Sequence, residues 1–260
     1  MNQPVALTIA GSDPSGGAGL QADLKTFHQH RVYGMSVVTL LTVQNTKSVT
    51  AVRIIEPEFV LQQLDAVLSD ILPSAAKTGA LGSAAIIEVI ADRASRFKFP
   101  LVVDPVMISK HGIPLLDSQA VDVLIKKLLP WTMLVTPNLA EAAALAGFEV
   151  NSIESMTAAA KAIAQLGPQN VLIKGGHLPG AAIDVLWAAG ELQLLRAPRV
   201  ETTNTHGTGC VTSAAITAVL AQGETLHTAV HRAKKFVSAA IQTNPGLGLG
   251  YGPINLFIEP

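Results

Sequence analysis

The chain is poor in cysteine, in aromatic side chains and in charge. Of its 260 residues one is cysteine, 4% are aromatic and 14% are charged, and the net charge is −1. A single thiol excludes an internal disulfide and fits a reducing compartment. Near-zero charge without a basic block removes the electrostatic footprint that binding to nucleic acid requires. No apolar run approaches the ~20 residues of a membrane span; the run 37–43 is short and broken by Thr39 and Thr42. The start lacks the basic segment and cleavage site of a secretory leader, so a cytoplasmic protein is expected. Walker A and Gly-x-Ser-x-Gly patterns are missing too, which removes the P-loop and serine-elbow sites, and no complete Gly-x-Gly-x-x-Gly is present. His28 and His30 face different sides of a helix. His227 and His231 could share a face but lack the carboxylate of a zinc motif, so surface histidines are expected in all four cases.

What the chain does have is a large apolar fraction, 49%, and a mean hydropathy of +0.40. A sizeable core follows. Strand-like runs at 4–10, 35–42, 49–55, 75–78, 101–103, 133–136 and 170–174 alternate with helical stripes at 19–30, 56–70, 83–96, 117–129 and 155–166. A hairpin is expected around Gly190, and helices at 211–220 and 226–242. Residues 199–203 read as one more short strand. This alternation, with no long linker and no internal repeat, predicts a single α/β domain over residues 1–260. Its doubly wound, mostly parallel sheet is covered by helices on both faces.

Glycine- and carboxylate-bearing runs fall just after strands, at 11–19, 44–46, 104–107, 136–141, 174–177 and 204–210. Ligands in open α/β sheets sit at that edge. The last run, Asn204-Thr205-His206-Gly207-Thr208-Gly209-Cys210, opens a helix. Its two glycines let backbone amides approach an anion, and the helix dipole adds positive charge. The only cysteine stands at its edge, where a thiol is expected to be more acidic than a free one. Cys210 is therefore a base or nucleophile beside phosphate, or a small buried hydrophobe; the flanking glycines favour the first. Gln44 offers an amide to a heterocycle edge or makes a polar turn. Asp23 compensates a helix dipole or lines a site. Asp104 is a strand-end carboxylate facing the crevice. Asn138-x-x-Glu141 is a capping box, a place for hydrated magnesium, or both. Lys174 meets phosphate or is a capped surface lysine. The glycine-rich tail 246–253 is expected to loop over the site or a sheet end.

Three runs together carry a resemblance: residues 10–19, Val43-Gln44-Asn45-Thr46, and 204–210. The chain resembles, over essentially its whole length, the hydroxymethylpyrimidine/phosphomethylpyrimidine kinases of thiamine biosynthesis, in the ribokinase-like superfamily. The resemblance implies transfer of phosphoryl from ATP, with Mg2+, to the pyrimidine alcohol and then to its monophosphate. It implies that Gly11, Ala18, Asp23 and Gln44 line the pyrimidine pocket and that Val106 packs on the ring. Gly207, Thr208 and Gly209 would form the anion hole, and Cys210 would take the hydroxyl proton. Asn138 and Glu141 would organise phosphates and magnesium, Glu141 through water, while Lys174 and Thr205 would contact the nucleotide's phosphates. The family pattern has methionine where Ala80 stands; alanine leaves more room over the substrate, and a pyridoxal/pyridoxine kinase is the alternative. A dinucleotide oxidoreductase is a third reading, but Thr212 stands where its last glycine belongs. A non-catalytic pyrimidine sensor is a fourth, opposed by the full set of cysteine, lysine and carboxylates. A homodimer is an open expectation; no nucleic acid or membrane partner is expected.

Overall fold

A computed structural model describes residues 3–110, 112–176, 178 and 180–260. Short apolar strands and amphipathic helices alternate as the periodicity demands. In chain order they are β1 (Val5–Ser12), α1 (Gly19–Gln29), β2 (Tyr33–Gln44), β3 (Val49–Ile54), α2 (Pro57–Asp70), β4 (Ala75–Thr78), α3 (Ala84–Ala94) and β5 (Leu101–Val103). There follow α4 (Ser118–Val123), β6 (Leu134–Val135), α5 (Leu139–Ala146), α6 (Ile153–Ala164), β7 (Asn170–Ile173), β8 (Ala182–Ala188), β9 (Glu191–Ala197), α7 (Thr208–Ala221) and α8 (Leu226–Gln242).

The strands form one sheet in the order β3-β2-β1-β4-β5-β6-β7-β8-β9. Strands β2, β1, β4, β5, β6 and β7 pair in parallel, while β3 at one edge and β8 and β9 at the other join antiparallel. Successive side chains of a strand point to opposite faces. Leu7, Ile9, Ala76, Val103 and Val135 therefore enter the core under α2 to α6. Ala6, Ala75, Val102 and Leu134 enter the core under α1, α7 and α8. By the same alternation Thr8 and Lys77 point toward α1 and α7. The expected doubly wound α/β architecture is thus observed. The chain winds from β1 to β2 on one side and resumes with β4 on the other. The resulting switch point between β1 and β4 is where such sheets open a crevice.

Three expectations need correction. Residues 199–203 form no strand; Arg199 instead donates to the carbonyls of Gly176, Leu178 and Gly180. The helix predicted through 129 ends at Val123, widens into a π-turn over Leu124–Leu128 and closes as a 3-10 turn, Leu129–Trp131. Pro130 lies in that last turn; its missing N–H and its ring forbid a continued α-helix. His30 is not a surface residue: it is buried edge-on to Phe236, with Nδ1 bonded to the Thr26 carbonyl. His28, His227 and His231 are exposed as expected. His177, part of the run after β7, lies outside the described residues.

Candidate active site

Helix α7 is buried all along residues 211–221, so its first turn is delivered rigidly to the sheet's carboxyl edge. Gly207 precedes that turn at φ 82°, and a Cβ there would lie 1.8 Å from the Gly17 carbonyl oxygen. Only glycine satisfies both the backbone angle and the close approach. The 204–210 run is thereby pressed onto the loop after β1. Gly11 is held less tightly, against the movable end of a leucine side chain. The β1–β2 register slips between Ala10 and Ser12, and a Cβ on Gly11 would lie 2.5 Å from Leu40 Cδ1 and 3.6 Å from Ala80 Cβ. Such bulges re-aim the chain beside active sites.

The two loops are bolted together by groups far apart in sequence. Asp13 Oδ2 accepts from His206 Nε2 at 2.7 Å and from the Ala18 amide at 2.9 Å, while its Oδ1 accepts from Ser15. Burial disfavours the Asp13 carboxylate, but the bonds from His206 and Ser15 outweigh it and hold the group below its ordinary range. Gln44, at the end of β2, lies 3.2 Å from the same His206 nitrogen. The tail closes the arrangement. The Tyr251 amide donates to the Thr46 carbonyl, and the His206 amide to that of Gly252. The Gly252 amide donates to Asn204 Oδ1. The tail thus straps the site, as expected.

Cys210 sits where these loops meet. The Gly19 amide at the start of α1 favours the charged form of its sulfur, so the first turns of two helices act on it. The expected acidification does not follow. Burial pushes the thiol up to about 12, Asp23 and Asp104 add to this, and Lys77 and the Gly19 amide only partly oppose it. The dipole reasoning was sound, but desolvation is the larger effect.

Two lysine–aspartate pairs flank the sulfur. Lys77 Nζ lies 2.7 Å from Asp23 Oδ1, and both side chains are 0% exposed. Thr8 donates to the other Asp23 oxygen at 2.6 Å, and Lys77 Nζ lies 3.5 Å from the Cys210 carbonyl oxygen. Burial opposes the Lys77 charge, yet Asp23, Cys210 and Asp104 more than offset it and raise its pKa. Burial likewise pushes Asp23 up against the pull of Lys77 and Thr8. Asp23 has no exposed surface in this structure, and its two carboxylate oxygens are taken by Lys77 and Thr8.

The second pair is Lys174 Nζ to Asp104 Oδ1 at 2.8 Å, with 15% and 2% exposure. Ser213 Oγ lies 3.5 Å from Asp104 Oδ2 and 3.0 Å from the Cys210 carbonyl. A Cβ on Gly209 would come within 3.2 Å of Lys174 Nζ, so the Gly207–Gly209 turn and this ammonium face one another. The Lys174 amide bonds to the Pro137 carbonyl, which places the lysine beside Asn138. The Asn138–Glu141 capping box is real: each side chain accepts from the other's backbone amide, at 3.0 and 2.8 Å. Burial raises Glu141 to about 7, Asp104 adds to it and Lys174 opposes it.

The edge thus gathers Gly11, Ala18, Gln44, Ala80, Gly207, Thr208, Gly209, Cys210, Asn138, Glu141 and Lys174. Val106 follows two residues after Asp104, and Thr205 enters through its carbonyl, which accepts from Thr208. Sequence reasoning named Lys77 and Ser213 in no role and missed the His206–Asp13 bond. A lysine in the buried strand Ala-Ala-Lys-Thr was the one available signal, since an unpaired ammonium cannot stay there. Nothing local announces a bond spanning 193 residues. Two hollows of about 270 and 380 Å³ flank the site at Val52–Gly82–Leu115 and Lys47–Lys110–Tyr251. Neither contains Cys210; chemistry, not concavity, locates the centre.

A glycine turn opening a buried helix, with a lysine ammonium facing it at the sheet's carboxyl edge, is an arrangement shared with ATP-dependent small-molecule kinases. Solved structures agree. Pyridoxal kinase of Bacillus subtilis, in an ADP complex, superposes with a TM-score of 0.90 at 38% identity, covering 98% of this chain and 97% of that one. Phosphomethylpyrimidine kinase of Clostridium difficile 630 gives 0.82 at 42% identity, covering 92% and 100%. The family model for phosphomethylpyrimidine kinase matches residues 13–255, and the chain belongs to that family. The hydroxymethylpyrimidine/phosphomethylpyrimidine kinase of Haemophilus influenzae is 47% identical, with 98% of this chain and 97% of that one aligned. The thiamine biosynthesis bifunctional protein ThiED of Geobacter sulfurreducens is also 47% identical over 96% of this chain. The chain spans only 51% of that relative's length.

Proposed function

We propose that the chain transfers phosphoryl from MgATP to 4-amino-5-hydroxymethyl-2-methylpyrimidine and then phosphorylates the monophosphate to the diphosphate, in thiamine biosynthesis. The observation that carries this reading is the meeting of the Gly207–Gly209 turn, the Cys210 sulfur and the Lys174 ammonium at one sheet edge. Phosphoryl transfer depends on positioning and on stabilising the charge of the moving group. In this reading Lys174 exchanges Asp104 for phosphate oxygens of the nucleotide, with Asn138 and Thr205 beside it. Gln44 reads the ring edge, Gly11, Ala18 and Ala80 shape the pocket, and Val106 packs on the ring. Cys210 receives the proton of the hydroxymethyl group.

Magnesium suits the donor set as a hydrated ion. No cluster of three or more His, Cys, Asp or Glu among the described residues forms a protein cage. Magnesium commonly keeps its waters and takes one or two carboxylates plus phosphate oxygens. Glu141, raised to about 7 by burial, is a carboxyl that a nearby cation would return to its ionised form. When bound, the ion neutralises charge on the nucleotide's oxygens. No helix among the described residues is long and apolar enough to cross a membrane, and a cytoplasmic setting, where ATP and a reduced thiol coexist, suits this chemistry.

The test is ATP consumption with the pyrimidine alcohol, its monophosphate and pyridoxal in parallel, with mass detection of products. The expected result is turnover of both pyrimidines and release of the diphosphate. A tenfold or greater preference for pyridoxal in kcat/KM, about 1.4 kcal/mol of transition-state binding, would move the chain to the alternative kinase reading. No turnover of any of the three would overturn both.

A further inference from the structure

We propose that Lys77 is a positioning residue for the alcohol half of the reaction: its ammonium, clamped by Asp23 under the first turn of α7, favours the charged form of the Cys210 sulfur, and it matters far less when the acceptor is a phosphate. The proposal rests on the two-acceptor reading above. Geometry supplies the warrant. Lys77 is fully buried, 2.7 Å from Asp23, and its Nζ reaches the Cys210 carbonyl at 3.5 Å. The charged groups facing the sulfur are Asp23 on α1, Lys77 on β4 and Asp104 after β5, and Lys174 after β7 is also felt there. Of these, Lys77 is the one whose Nζ reaches the backbone of Cys210 itself, and its charge favours thiolate. Burial and both carboxylates oppose it, so without Lys77 the sulfur keeps the Gly19 amide and Lys174 on its side.

The chemistry separates the two acceptors. With the alcohol, the hydroxymethyl oxygen bonds to the γ-phosphorus. The bond from that phosphorus to the β,γ-bridging oxygen breaks, and its electron pair leaves on ADP. The hydroxyl proton passes to sulfur, turning thiolate into thiol. A phosphate monoester loses its second proton near pH 6, so at neutral pH its attacking oxygen carries no proton and sulfur has none to accept. The Lys77–Cys210 couple therefore acts on one half-reaction only.

Two readouts test this on the full chain, using Lys77→Met. Because Cys210 is the only cysteine, iodoacetamide reports one sulfur. Its alkylation at pH 9 should slow about tenfold in the variant, as expected for losing a nearby cation. Turnover of the pyrimidine alcohol should fall about 100-fold or more, the scale of general-base assistance, and turnover of the monophosphate less than about fivefold. In the unsubstituted chain, alcohol turnover should rise with pH between 7 and 9 while monophosphate turnover stays flat. Unchanged alkylation, or equal losses on the two acceptors, overturns the proposal. Should Lys77→Met fail to fold, Lys77→Gln, which keeps a donor for Asp23, carries the same two readouts. If the unsubstituted chain uses neither acceptor, the two-acceptor reading fails instead, and the alkylation arm still decides whether Lys77 governs the sulfur.

Discussion

The two lysine–aspartate pairs beside Cys210 have nearly the same length, 2.7 and 2.8 Å, and differ in their access to the site edge. Lys77–Asp23 is sealed, at 0% exposure on both sides, while Lys174 keeps 15%. A sealed pair cannot trade partners, so its charge acts through space on whatever lies next to it. A pair at the edge can release its cation to an incoming anion. Asp104 then remains within reach of Thr136 and Ser213, so the exchange leaves no bare carboxylate. On the function proposed above, the same two residue types would serve as a fixed field in one place and as a phosphate contact in the other.

Substituting one lysine at a time separates these roles. The largest expected effect is on stability: Lys77→Met should cost about 3–5 kcal/mol, the usual penalty for breaking a buried pair. Lys174→Met should cost less than half of that, measured by urea unfolding of both variants. Equal costs would mean the second pair is as sealed as the first. Next in size, Lys174→Met should lower kcat/KM for ATP about 100-fold, the scale for losing one donor to a developing charge, with little change in affinity for the ring alcohol. If ATP kinetics are normal, the ammonium does not leave Asp104. The mildest is Ser213→Ala, whose hydroxyl bridges the Cys210 carbonyl and Asp104. A loss near 1 kcal/mol, typical of one hydrogen bond, is expected. A penalty matching either lysine would show that the pairs form one network and that the distinction between them is false.

The order of elements was legible because each carries a strong period. The strands at 75–78 and 101–103 and the helix at 226–242 lie where the sequence places them. The glycine turn that opens α7 was legible as well, and Gly207 stands at its N-terminus with φ 82°. Other features lacked a local signal. The run 199–203 looks extended, and only the positions of Gly176, Leu178 and Gly180 reveal that Arg199 serves their carbonyls. The Cys210 pKa was read from the helix terminus alone, although the sulfur's burial outweighs that dipole. Asp23 read locally as dipole compensation or a site residue, and only the family resemblance assigned it to the ring pocket; its partner Lys77, 54 residues away, gave no local signal.

By itself the sequence determined the alternating α/β pattern, the glycine turns at the strand ends and the family to which they belong. These are properties of neighbours along the chain, where periodicity, backbone freedom and residue chemistry act locally. Only the tertiary structure decided which charges face which. Pairing Lys77 with Asp23, Lys174 with Asp104 and His206 with Asp13 depends on strand order and on the face to which each side chain alternates. The state of the one sulfur depends on how much water those elements exclude. Desolvation and Coulomb forces act across space, so they exist only once distant segments have been brought together.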